Sequence, residues 1–146
     1  MDEAAVAAIQ FEPVPGDVEA NLARMRELLA GTESLSLAVF PELGVTGYDL
    51  TVAEREAEPV PGPLTERLHE LAAETEIQIV AGVPERAGAQ LFNDLVYVTP
   101  DGLEATYRKR RLWGDEIGTF AEGSDPVEVE TEFGTVGLLI CYDLNF

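Results

Sequence analysis

The chain is 146 residues long and 46% hydrophobic, enough for one domain with an apolar core. It carries 28 acidic and nine basic residues, a formal charge of −19, and such a surface repels both nucleic acids and anionic membranes, so neither is expected as a partner. No apolar run reaches the roughly 18 residues of a membrane span, Met1-Asp2-Glu3 lacks the basic start of a signal peptide, and a single cysteine leaves no disulfide, so a cytoplasmic location is expected.

In chain order, residues 4–11 (AAVAAIQF) predict a buried strand. Asp17 caps a helix over 18–30 that shows Val18, Leu22, Met25 and Leu29 on one face and ends at Gly31. Leu35 to Phe40 predict a second strand, stopped by Pro41, and residues 42–61 read mostly as loop. Pro63 suits the first turn of a helix, and Leu64, Leu68 and Leu71 mark its apolar face. Ile77 to Val83 is a third apolar strand. Leu91 to Val98 and Leu103 to Lys109 predict a hairpin, joined by Thr99-Pro100-Asp101-Gly102 with Pro and Gly where a type I turn favours them. Residues 110–125 read as a long polar loop, 127–129 as a short strand, and Gly134 to Ile140 as a buried strand ending at Cys141. This order, βαβ units followed by antiparallel additions, describes a layered α/β fold in a single domain. Only Tyr142 to Phe146 follow Cys141, so an element or partner covering the last strand is expected from outside the chain.

Scattered acids on a normally apolar chain indicate a heavily hydrated surface, as in a halophile whose salt screens self-repulsion. Eight of the nine basic residues are Arg; the one Lys is Lys109, alongside one Cys, Cys141, and one His, His69. Arg cannot replace Lys where a compact ammonium is needed, so a single retained Lys is a candidate functional group.

Cys141 stands at the carboxyl end of an apolar segment, where α/β folds place reactive groups, and Tyr142-Asp143 begins a turn after it. A nucleophile on such a turn is open to attack, and the next backbone N–H can face an oxyanion; the bland alternative is a small core residue. His69 lies within an amphipathic helix and reads as a surface residue, so the base must come from elsewhere. A carboxylate serves if burial or a negative neighbour tunes it. Glu42, between an apolar strand and the turn Leu43-Gly44-Val45-Thr46-Gly47, is the leading carboxylate, with Asp143 and Glu116 as rivals and simple bonding to local N–H groups as the structural alternative. Lys109, in Tyr107-Arg108-Lys109-Arg110-Arg111, can stabilise an oxyanion or a thiolate, or belong to a basic surface cluster that pairs with Asp115 and Glu116.

Three segments together carry a resemblance. Phe40-Pro41-Glu42-Leu43 with Thr46-Gly47-Tyr48, Tyr107-Arg108-Lys109 with Leu112-Trp113, and Gly137 to Asp143 (GLLICYD) with Phe146 resemble, in order, the three catalytic motifs of the nitrilase (carbon–nitrogen hydrolase) superfamily. The resemblance extends over nearly the whole chain, including Asn93-Asp94. It implies an α-β-β-α sandwich of which this chain holds a part, with the domain over 1–146 truncated on its C-terminal side. It implies Glu42 as general base, Lys109 as oxyanion stabiliser, Cys141 as nucleophile, Glu116 as a supporting glutamate and the Tyr142 N–H as an oxyanion donor. Hydrolysis of a small amide or N-carbamoyl compound follows, without metal or organic cofactor, in a protein that forms homo-oligomers when complete. Cys-Tyr-Asp, rather than Cys-Trp-Glu, tilts the resemblance toward amides over nitriles. Arg111 stands where the lysine motif usually has His. The alternatives are a truncated fragment without catalysis, or an acidic binding module that retains the motifs.

Overall fold

The computed structural model describes residues 4–32 and 34–146; the acidic start at Met1–Glu3 lies outside the described residues. A five-stranded sheet forms its centre, in the order β1 (Val6–Ala8), β2 (Leu37–Val39), β3 (Gln78–Ala87), β4 (Gln90–Thr99), β5 (Gly102–Arg108). β1, β2 and β3 run parallel, and β3, β4 and β5 are antiparallel neighbours, as the element order predicts.

Two helices cover one face. α1 (Val18–Leu29) starts where the Asp17 carboxylate accepts from the Ala20 N–H. The predicted stripe holds: Leu22, Met25 and Leu29 are buried and Val18 partly so. α2 (Leu50–Glu56) lies in the segment read as loop; Asp49 caps it by accepting from the Val52 N–H, and Ala53 anchors it against Leu43 and Leu91. Two short turns of helix between loops leave too few apolar positions to show a period. α3 (Pro63–Thr75) presents Leu64, Leu68, Leu71 and Ala72 to the sheet. Because alternate strand residues face opposite ways, Ile79, Ala81, Val83, Val96 and Val98 meet α1 and α3. Val80, Leu95, Tyr97 and Tyr107 line the other face.

That second face is covered by the hairpin β6 (Glu128–Thr131) and β7 (Gly134–Gly137) through Val129, Leu138 and Ile140. The layers are thus helix, sheet and second sheet, the α-β-β portion of the expected sandwich. Two strand expectations need correction. β1 is shorter than 4–11 and is an edge strand, so Val6 is 57% exposed rather than buried. The strand expected over 134–140 stops at Gly137 and pairs only with β6, and Leu139 faces solvent. A continuous apolar run suggests burial without showing what stands beside it. Among the described residues, no helix is long and apolar enough to cross a membrane.

Candidate active site

Glu42 is aimed by its backbone. After β2 the chain turns at Pro41, and Leu43 adopts a left-handed conformation at φ +49°. The Pro41 carbonyl accepts from the Gly82 and Gly44 N–H groups, and the Gly82 carbonyl accepts from Val45. This turn lies so close to β3 that a Cβ on Gly82 would stand 2.2 Å from the Leu43 nitrogen. Glycine at 82 is therefore what admits Glu42 to the sheet surface beside Asn93 of β4.

Lys109 follows β5 and is tied to β4 where its N–H donates to the Asn93 carbonyl at 2.8 Å. Its side chain is 1% exposed. The ammonium donates to Glu42 Oε1 at 2.6 Å and to Glu116 Oε1 and Oε2 at 2.9 and 2.8 Å. Glu116, fully buried on a short 3-10 turn (Gly114–Glu116), also accepts from the Trp113 N–H at 2.8 Å and the Tyr48 hydroxyl at 2.9 Å. Asn93 Nδ2 donates to Glu42 Oε1 at 2.8 Å and to Glu116 Oε1 at 3.2 Å.

Burial disfavours charge on both Lys109 and Glu116, but the bonds between them outweigh it. The lysine pKa is raised by Glu116 and Glu42, and that of Glu116 is lowered by Lys109, Trp113 and Tyr48. Both groups stay ionised. Burial pushes the Tyr48 phenol up, and the bond to Glu116 adds to this, so Tyr48 remains a donor.

Cys141 opens a 3-10 turn (Cys141–Asn145) at φ +46°, a conformation that L residues other than Asn and Asp rarely hold. The turn is fastened by Asp143, whose carboxylate accepts from the Tyr107 hydroxyl at 2.6 Å, the Ile140 N–H at 3.1 Å, and the Arg111 and Arg110 N–H groups at 2.7 and 3.2 Å. Asp143 is thus an anchor whose two oxygens are both occupied. Tyr142 packs at a tilt against Trp113, with 4.9 Å between ring centroids. The thiol is exposed to solvent, yet partial burial and the charges of Glu42 and Glu116 raise its pKa, against an opposing pull from Lys109.

The structure therefore brings Glu42, Lys109 and Glu116 into direct contact and sets Cys141 within their field. A cleft of about 500 Å³ beside them is lined by Tyr48, Asp49, Trp113, Asp115 and Glu116, among others. His69 stays away from the site, its Nε2 against the Pro100 carbonyl. Arg108 does not pair with Asp115 or Glu116; it lies on the helix-covered face, bidentate on Glu85 and stacked on Phe92. The sequence reading gave no role to Asn93, though an Asn within the apolar stretch Leu91–Val98 is a signal that could have marked it.

A mixed sheet backed by helices, a second sheet on its other face, and a Glu–Lys–Glu cluster beside an exposed cysteine on a strained turn define a class of hydrolase fold. The chain belongs to the carbon–nitrogen hydrolase family, whose pattern matches residues 5–146. It is 34% identical over 99% of its length to the probable nitrilase C965.09 of Schizosaccharomyces pombe, covering 57% of that protein. It is 32% identical over 80% of its length to the human omega-amidase NIT2, covering 46% of that protein. Its fold superposes with a TM-score of 0.88, at 29% identity, on XC1258 from Xanthomonas campestris, a CN-hydrolase superfamily protein whose crystal structure has an arsenic adduct in the active site; the match covers 100% of this chain and 56% of that one. The chain thus spans about half the length of the relatives it matches.

Proposed function

We propose that the protein hydrolyses a non-peptide C–N bond, in a small amide or N-carbamoyl compound, through a thioester on Cys141. The observation that carries this reading is the hydrogen-bonded Glu42–Lys109–Glu116 cluster next to the strained Cys141 turn. Because the thiol pKa is raised, the resting nucleophile is a thiol and needs a base. Glu42 takes that proton as Sγ attacks the carbonyl carbon. The oxyanion forms against the Lys109 ammonium and the Tyr142 N–H. Protonated Glu42 returns its proton to the leaving nitrogen, and ammonia or an amine departs. Glu42 then takes a proton from water as it attacks the thioester, and collapse of the adduct expels the Cys141 sulfur, which recovers the proton. Glu116 holds Lys109 in place through both carboxylate oxygens. No step calls for a metal or an organic cofactor. Homo-oligomerisation of the protein is part of the same proposal.

The choice of amide over nitrile rests on Cys141-Tyr142-Asp143, since the two relatives are named for nitrilase and omega-amidase activity respectively. Ammonia release from matched amide, N-carbamoyl and nitrile substrates by the full-length gene product tests it, with intact-mass detection of an acyl group on Cys141. Amide turnover with an acyl-Cys141 adduct is expected, and Cys141→Ala abolishes both. Turnover that survives Cys141→Ala sinks the mechanism; turnover of nitriles alone overturns the substrate class.

A second reading, a fragment without catalysis, is favoured by one feature. Trp113, Ile117, Leu139, Leu144 and Phe146 are all more than half exposed. On that reading residues 1–146 by themselves associate and show little turnover. Strong Cys141-dependent turnover by a well-protected monomer of this chain disproves it.

A further inference from the structure

We infer that Asn93 is a positioning residue that holds Glu42 and Glu116 together as two separate carboxylates beside one lysine, and so sets the field at Cys141. The inference rests on the proposed roles of Glu42 and Cys141. Asn93 is fully buried on the site face of β4, and one nitrogen, Nδ2, reaches both glutamates at 2.8 and 3.2 Å. The amide orientation is dictated by chemistry: turned over, Oδ1 would face two carboxylate oxygens with no proton between them. In this orientation Oδ1 is buried without a hydrogen-bond partner among the described residues. A buried acceptor left unpaired is costly, so what holds the side chain is its pair of bonds to the carboxylates.

The charge count explains why Asn is needed there. Glu42 and Glu116 face each other across Lys109, two negative charges against one positive, with Tyr48 donating from the side. Two carboxylates this close repel each other, and donors shared between them offset that repulsion. Lys109 supplies most of that, and the remaining donor common to both glutamates is Asn93 Nδ2. Asp at 93 would keep the shape, place a third carboxylate against the cluster and remove both donated bonds. Ser would keep a donor, but a hydroxyl has one proton and serves one glutamate.

The experiment is the pH dependence of iodoacetamide alkylation at Cys141, the only thiol within residues 1–146, read by the mass of the peptide that carries it. It does not depend on turnover, so it remains decisive if the proposed hydrolysis fails. In Asn93→Asp the midpoint should move up by about one pH unit, which is about a tenfold slower reaction below the midpoint. In Asn93→Ser the shift should be smaller and in the same direction. Asp94→Asn, on the opposite face of β4, should leave the profile in place. In the full-length protein, Asn93→Asp should also lower kcat far more than it raises KM. Circular dichroism and amide-proton protection confirm folding, and the near-isosteric Asp variant is the one expected to keep it. An unmoved alkylation midpoint in folded Asn93→Asp, or equal shifts in Asn93→Asp and Asp94→Asn, overturns the inference.

Discussion

Buried between two carboxylates, the Lys109 ammonium cannot be removed without leaving Glu42 and Glu116 facing each other across the space it filled. Lys109→Met should therefore destabilise the fold by about 3–5 kcal/mol, the range for breaking a buried ion pair from one side, measured by urea denaturation. Lys109→Arg keeps the charge but puts a planar fork where three contacts converge on one nitrogen, and it should lose turnover even where it folds. Full activity in Lys109→Arg would show that a point charge is not required there. On the other face of β4, burial and the adjoining Glu85 carboxylate raise the Asp94 pKa to about 9. An unfolded Asp titrates near 3.8. Between those values the folded state keeps a proton that the unfolded state has released, so Asp94 lowers stability as pH rises through that window. Asp94→Asn mimics the neutral form and should raise the denaturation midpoint at pH 8 more than at pH 4. An equal effect at both pH values would refute the assignment.

Two places in the fold hand the chain to a candidate site residue, Glu42 after β2 and Cys141 after Ile140. At the end of β2, the Pro41–Leu43 turn lies on Gly82 of β3, and no larger residue fits between them. Gly82→Ala should cost about 1–3 kcal/mol of stability by overpacking, and Glu42 should shift with the displaced turn. The check pairs thermal denaturation with the Cys141 alkylation profile; a variant with unchanged Tm and profile would remove Gly82 from its role. At the other handover, Asp143 fastens the Cys141 turn to β5 through Tyr107 and to the Arg110–Arg111 backbone. Cys141 is thus located by a side chain two residues after it, anchored to the strand that delivers Lys109.

Across the whole molecule the dominant property is charge. With −19 on 146 residues, self-repulsion opposes the compact state, and salt shortens its range from roughly 30 Å at 0.01 M to roughly 3 Å at 1 M. The proposal of a salt-adapted protein predicts a thermal midpoint that climbs steadily from low ionic strength to molar KCl. A midpoint that is flat or falls over that range would end it.

The sequence alone determined the succession of parallel and then antiparallel strands, the apolar stripes of α1 and α3, and which residues merited attention. Those properties are carried locally, by period, caps and turn residues, and by the scarcity of Lys, Cys and His. It misjudged β1 and the segment before Cys141, because whether an apolar run is flanked by neighbours depends on strands distant in the chain. It left Glu42, Asp143 and Glu116 as rival bases, since all three are acids near turns and nothing local separates them. Tertiary structure separates their surroundings. Asp143 is engaged by four donors, Glu116 is buried with Lys109 on both its oxygens, and Glu42 is partly exposed and accepts from Lys109 and Asn93. Asn93 could be assigned only in three dimensions, because its two partners lie 51 and 23 residues away and meet only on the folded sheet.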